Sequence, residues 1–176
     1  QLGDGTIIER HVPVQIAGSN NWVEVSAGNE HSLAIKSDGT LWAWGFNNFG
    51  QIGDNTTTER HMPVQIGSNA DWVKVSAGSY HSFAQDTGGG LWGWGNNQQG
   101  QVGNGETVNC LIPVSIGIDK WGQVSTFSAG GFHSLAVTPG GDLYTWGYNQ
   151  QGQLGDGTNI DRYVPRSIIF GELHIL

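Results

Sequence analysis

Basic residues are scarce in this chain: seven Lys plus Arg stand against fifteen Asp plus Glu, for a formal net charge of −8. The seven are scattered. No stripe of the kind that displaces phosphate counterions is present, so nucleic-acid binding is not expected, and a polybasic membrane patch is missing for the same reason. A single cysteine, Cys110, rules out an intrachain disulfide. No apolar run approaches the roughly 18 residues of a membrane-spanning helix, so membrane insertion is not expected either. No signal peptide precedes Gln1, which falls in the middle of a repeated motif; the sequence reads as processed or cut from something longer. Nucleophile signatures, phosphate-binding glycine loops and zinc spacings are absent. The many GxG strings lack the following helix that dinucleotide binding requires. Neither an enzyme nor a cofactor is indicated.

What is abundant is glycine, with 29 residues, and tryptophan, with eight in 176. Glycine, tryptophan and β-branched residues together mark an all-β chain rich in turns; a disordered chain would lack the aromatics needed to bury surface. The motif Q-[LIV]-G-[DN] recurs at Gln1, Gln51, Gln101 and Gln153, and prolines recur at Pro13, Pro63, Pro113 and Pro165 with the same spacings of 50, 50 and 52. Self-similarity at this period indicates a repeat architecture.

Each repeat holds four short strand candidates. The first is WVEVSAG (Trp22–Gly28), WVKVSAG (Trp72–Gly78) and, displaced, VSTFSAG (Val124–Gly130). The second is HSLAI, in which His31, Leu33 and Ile35 alternate with Ser32 and Ala34 at the period of a strand. The third is LWAWG, with Trp42 and Trp44 on one face and Leu41 and Ala43 on the other. The fourth is VPVQI (Val12–Ile16) and its copies, whose proline suits an edge strand. SDGT, TGGG and PGGD between the second and third strands read as tight hairpins with positive φ at both central residues. A small sheet that is apolar on both faces must be covered on both sides by neighbours, which four-stranded blades around an axis achieve. The expectation is an all-β propeller of about 50-residue blades. Residues 1–20 supply a loop and the edge strand of a preceding blade; 21–70, 71–118 and 119–170 are complete blades; 171–176 are a divergent tail, with an edge strand expected near Ser167–Phe170. Three blades make a partial propeller or one half of an assembled ring, so the chain is expected to be a fragment of a larger propeller or a homo-oligomer, its open ends exposing apolar faces.

The pattern AGxxHSxA…DGxLWxWGxNxxGQLG resembles the repeat of the regulator of chromosome condensation family. It is matched at Ala27-Gly28, His31-Ser32, Asp38-Gly39, Leu41-Trp42, Trp44-Gly45, Asn47 and Gly50-Gln51, and again from Ala77 to Gln101 and from Ala129 to Gln153. The resemblance implies a propeller, typically seven-bladed, that serves as an interaction scaffold without catalysis. The founding member is an exchange factor for a small GTPase and binds nucleosomes, so guanine nucleotide exchange or chromatin regulation is an alternative reading. It would require an inserted wedge and a basic face, and this chain shows neither. The GWRHT motif of the family's plant photoreceptor is replaced here by AGNEHS, AGSYHS and AGGFHS. Bacterial members resemble secreted or cell-surface proteins, which makes a carbohydrate-binding or adhesive module the third reading, and a secreted or surface location the expectation over a cytoplasmic one.

Several residues invite a sharper reading. His31, His81 and His133 recur once per blade, which spreads them around a ring; buried imidazoles satisfying backbone groups near the AG turn are expected, not a metal site. Asp4, Asp54 and Asp156, replaced by Asn104 in the third copy, supply one carboxylate per loop, too few for calcium; they read as Asx-turn caps. Trp42/Trp44, Trp92/Trp94 and Tyr144/Trp146 read as inter-blade packing. Asn55-Thr56-Thr57 fits a glycosylation acceptor. The positions freed from the repeat template are Glu30, Tyr80 and Phe132 in the loop between the first and second strands. In the loop between the third and fourth they are Phe46, Asn96 and Tyr148. Both loops should leave the blade on one side, opposite the tight hairpins, and aromatic anchors there are the makings of a protein-binding hot spot.

Overall fold

The computed structural model describes residues 1–16, 21–117 and 123–168. Among these the chain forms three four-stranded antiparallel sheets and no helix. The first blade is β1 (Trp22–Ala27), β2 (His31–Lys36), β3 (Leu41–Gly45) and β4 (Arg60–Gln65), paired in that order. The second is β5 (Trp72–Ala77), β6 (His81–Asp86), β7 (Leu91–Gly95) and β8 (Cys110–Ser115). The third is β9 (Thr126–Ala129), β10 (His133–Val137), β11 (Leu143–Gly147) and β12 (Arg162–Ser167). Period-two alternation produces the expected two apolar faces. In β3, Leu41 and Ala43 face the blade's own core, while Trp44 faces backwards and donates its indole N–H to the Gln1 carbonyl at 2.8 Å.

Packing between blades makes the core. Trp94 of the second blade is fully buried among Leu33, Ile35, Leu41, Ile52 and Ile66 of the first. Trp146 of the third is buried with Phe83, Leu91 and Ile116 of the second. Each such indole removes about 200 Å² from water, on the order of 5 kcal/mol of transfer free energy. At each junction one backbone carbonyl fixes the register. The Gln51 carbonyl accepts from Ser82 Oγ at 2.8 Å and Trp94 Nε1 at 2.9 Å. The Gln101 carbonyl does the same for Ser134 and Trp146 at 2.8 and 2.9 Å. Gly53 follows this contact closely: a Cβ there would stand 2.8 Å from the Trp94 indole nitrogen, and its φ of 84° suits only glycine.

Three sequence expectations are corrected. Val12–Ile16 is irregular, not an edge strand. A fourth strand is held by the third strand of its own blade, as β4 is by β3, and residues 1–11 provide none. The formed fourth strands also begin earlier than the proline motif indicates, at Arg60, Cys110 and Arg162, because Gly45, Gly95 and Gly147 pair with those residues across a bulge. The hairpins carry positive φ at one residue, not two: Gly39, Gly89 and Gly141 have φ of 79°, 82° and 90°. Each follows a turn closed by its own N–H, as Gly39 N does on the Lys36 carbonyl, which makes it a three-residue loop ending in a glycine bulge. In the strand expected near Ser167–Phe170, Ser167 ends β12, Ile168 N still donates to the Leu143 carbonyl, and residues 169–170 lie outside the described residues, as does the tail 171–176.

The arc is open at both ends of the described chain. Val75 is 8% exposed beneath the first blade, whereas Val25, its counterpart in the first blade, is 70% exposed. Leu33 and Phe83 are fully buried, and Leu135 at the same position of the third blade is half-buried.

Candidate protein-interaction face

The two loops of each blade that were expected to share a side do so. Phe46 N donates to the Glu30 carbonyl at 2.9 Å, Asn96 N to that of Tyr80 at 2.8 Å, and Tyr148 N to that of Phe132 at 2.9 Å. The long loop before the fourth strand is held from within by a buried asparagine. Asn47 Nδ2 donates to the Thr56 and Thr58 carbonyls at 3.0 and 3.1 Å, while its Oδ1 accepts from Ile52 N at 2.9 Å. Asn97 and Asn149 repeat this pattern.

The loop aspartates are caps, as expected, and they also form ion pairs. Asp54 accepts from Thr56 N and Oγ1 at 3.1 and 2.7 Å, and Arg60 grips its other oxygen through Nε at 2.6 Å and Nη2 at 2.5 Å. Partial burial alone would raise the Asp54 carboxyl, but the Thr56 and Arg60 hydrogen bonds outweigh it and the net shift is downward. Asp156 with Thr158 and Arg162 is arranged alike, as is Asp4 with Thr6 and Arg10. In the third copy both charges are gone at once: Asn104 replaces the aspartate, Cys110 replaces the arginine, and the Asn104 amide lies 3.5 Å from Sγ. Burial pushes the Cys110 thiol up, away from reactivity.

His31 and His81 are buried as expected, but their partner is not the AG turn, and His133 of the third blade is only half-buried. His31 Nε2 lies 2.8 Å from Ser82 Oγ of the next blade, and His81 Nε2 lies 3.0 Å from Ser134 Oγ. Each serine spends its proton on a glutamine carbonyl, so the imidazole donates from Nε2, and its Nδ1, buried without a hydrogen-bond partner, favours the neutral ring. Burial lowers His31 to about 4, and burial, with the neighbouring histidines, lowers His81 to about 3. Among the described residues no group of three or more His, Cys, Asp or Glu could hold a metal ion.

The aromatics freed from the template form one row across all three blades. Phe46 and Phe49 of the first blade have ring centroids 6.2 Å apart, and Tyr80 of the second lies 6.1 and 5.2 Å from them. Tyr80 lies 6.3 Å from Phe132 of the third blade, and Phe132 lies 6.5 Å from Tyr148. Phe132 is 43% exposed and the others are half-buried. Phe49 was missed by the template argument, although it was legible: it stands where the other copies have Gln99 and Gln151. Glu30 and Phe46 line one end of the row, beside Ile7, Ile8 and His61 around a cavity of about 410 Å³.

Asn96 does not belong to the row. It is 5% exposed, and its Oδ1 accepts from Gln98 N at 3.1 Å and Gln101 Nε2 at 2.9 Å. It caps its own loop. Where Phe46 takes that position, the equivalent amide, Gln51 Nε2, is buried with no hydrogen-bond partner. An orphaned buried donor costs roughly 1–3 kcal/mol, so the phenylalanine stands there at the expense of the blade's own stability.

The twelve strands of the described residues, in three antiparallel blades of which the first two are each sealed by the tryptophan of the next, define a β-propeller repeat protein whose loop face carries an aromatic row. The chain belongs to the regulator of chromosome condensation (RCC1) repeat family. The family's repeat model matches residues 1–35, 38–85, 88–137 and 140–174, and a second model of the same repeat matches 22–51, 72–101 and 124–153. The ultraviolet-B receptor UVR8 of Arabidopsis thaliana is 33% identical over 174 residues, which cover 97% of this chain and 40% of that protein. The X-linked retinitis pigmentosa GTPase regulator homolog of Caenorhabditis elegans is 49% identical over 53 residues, 29% of this chain and 4% of that one. Among solved structures, yeast RCC1 (Prp20) bound to Kap60 superposes with a TM-score of 0.83 at 23% identity, covering 97% of this chain and 43% of that one, a likeness of fold. The chain thus spans about two-fifths of the length of these propellers.

Proposed function

We propose that this chain is a non-catalytic protein-binding scaffold whose loop face, centred on Tyr80 and Phe132, captures a protein partner. The observation that carries the reading is the aromatic row itself: five rings continuous across three blades, on positions the repeat does not need. Aromatic side chains lose little rotamer entropy on docking and dominate interface energetics, and a polar rim such as Glu30, Asn29 and Gln98 excludes water around them. Related propellers are described as binding proteins: Prp20p with Gsp1p and histones, and with Kap60. The identity of this chain's partner is not carried over from them.

The test is affinity capture from the source cells, with partner titration by calorimetry. Tyr80→Ala with Phe132→Ala should weaken binding by at least about 30-fold, the loss of a two-residue hot spot. The melting temperature should move only by a degree or two, because neither ring is part of the blade cores. Binding that survives the double substitution in a folded protein would refute the assignment.

A further inference from the structure

The face that carries the aromatic row is acidic. Its segments, residues 1–11, 28–30, 46–59, 78–80, 96–109, 130–132 and 148–161, contain eight carboxylates and no lysine. The arginines that reach this face are all spoken for: Arg10, Arg60 and Arg162 are held by Asp4, Asp54 and Asp156 at 2.8, 2.5 and 2.5 Å. Among the described residues, five carboxylates on the face are left without a cation: Glu9, Glu30, Glu59, Glu106 and Asp161. Other cations are engaged elsewhere, Lys36 over the Trp42 ring at 3.7 Å and Lys74 on the Ser125 carbonyl at 2.9 Å.

Three of the five converge where the row ends. Glu9, Glu30 and Glu59 line the cavity of about 410 Å³ beside Phe46, with Ile7 and Ile8 supplying aliphatic surface. Arg10 and two histidines share the lining, but Arg10 is tied to Asp4, and histidine adds no formal charge at pH 7. The loop does not need the Glu59 carboxylate. At the same repeat position Asn109 and Asp161 cap the loop, accepting from Asn97 N at 3.1 Å and Asn149 N at 2.7 Å. Glu59 and Glu9 make no such bond among the described residues, and Glu30 Oε1 has only a long 3.5 Å contact with the Asn29 amide.

A partner that covers Phe46 takes these carboxylates out of water with it. A neutral or acidic segment would leave them desolvated and unpaired, which is costly. A long cationic side chain answers both parts of the cavity. Its methylenes pack on the isoleucines, and its charged head reaches the carboxylates while lying against the Phe46 ring. Granted the aromatic row as the docking face, we infer that its partner is a basic protein segment, one lysine or arginine of which enters the cavity lined by Glu9, Glu30 and Glu59. The remaining carboxylates, Glu106 and Asp161, extend the attraction along the second and third blades and speed encounter with such a partner.

The test is selection of a displayed library of random dodecapeptides on the folded protein at low salt, where charge pairs are least screened. Peptides that bind the chain but not its Tyr80→Ala, Phe132→Ala variant should be richer in lysine and arginine than the unselected library. Made as free peptides, they should bind about three- to tenfold more weakly to a Glu30→Gln, Glu59→Gln variant, the loss of two largely exposed pairs. An Asp71→Asn, Asp142→Asn variant, with the same charge removed on the hairpin side, should bind them as the parent does. Row-dependent peptides with no excess of basic residues would overturn the inference and leave the docking face standing. Basic peptides that ignore Tyr80 and Phe132, or that weaken equally in both charge variants, would mean that net charge alone holds them, and would overturn it as well. No row-dependent peptide at all would overturn the docking face and its charge reading together.

Discussion

His31 of the first blade and Ser82 of the second meet across the junction at 2.8 Å, and Ser82 passes the bond on to the Gln51 carbonyl of the first blade. The chain thus crosses from blade to blade and back through one hydroxyl. Ser82→Ala leaves a buried imidazole N–H without its acceptor and the Gln51 carbonyl with Trp94 as its remaining side-chain donor, and should cost about 1–3 kcal/mol. Ser134→Ala should behave alike between His81 and Gln101. Ser32→Ala, with only the Gln1 carbonyl at 3.1 Å to lose on an exposed rim, should cost less. Urea unfolding midpoints at unchanged m-value would report the order.

Acid should loosen the same junctions. His31 and His81 stay neutral in the folded state down to about 4 and about 3, while in the unfolded chain they titrate near 6.5. Below pH 6.5 the unfolded chain binds protons that the folded chain refuses. Stability therefore falls as the pH drops from about 6.5 toward the folded values, by up to roughly 1.4 kcal/mol per ring per pH unit. Asp54 and Asp156 are held below 3.8 in the folded state, so their contribution is present above that value and is lost only in stronger acid. Unfolding free energies measured at pH 7, 5.5 and 4.5 should decline steadily, and a flat profile would contradict the neutral, buried ladder.

The charge pair missing from the third copy can be restored. Asn104→Asp alone places a carboxylate beside a thiol and should not stabilise; with Cys110→Arg it recreates the Asp54–Arg60 arrangement. The double-mutant coupling energy should be favourable by about 0.5–1 kcal/mol, since the existing arginines are partly exposed. Zero coupling would mean that the pair is ornamental to the loop.

Phe46 and Asn96 occupy one position with opposite consequences. Phe46→Asn should supply the acceptor that Gln51 Nε2 lacks, as Asn96 does for Gln101, and raise the unfolding free energy by about 1 kcal/mol. The same change should weaken partner capture. Thermal melts and calorimetry on one sample would check both directions. Asn96→Ala should destabilise without affecting the aromatic row.

Most of the fold was legible because the repeat exposes its own constraints. Trp44, Trp94 and Trp146 could be placed in the blade interfaces from period-two alternation alone. The site was half legible: Tyr80, Phe132, Phe46 and Tyr148 stand out as unlike residues in a conserved frame of repeats within the chain, but the same logic selected Asn96, since variation does not tell a loop cap from a contact. The serine partners of His31 and His81 were hidden, as they lie about 50 residues away. Val12–Ile16 shows the opposite failure: its sequence repeats a strand that forms in the other copies, and what decides is a neighbouring strand, which local sequence does not encode.

The protein-binding role of the loop face is tested most directly by photo-crosslinking. A benzophenone amino acid at Tyr80, compared with one at Gly140 in the tight hairpin of the third blade, would be irradiated in the presence of the captured partner. The account predicts a crosslinked partner from position 80 and none from position 140. Equal crosslinking from both, or crosslinking from the hairpin alone, would contradict it.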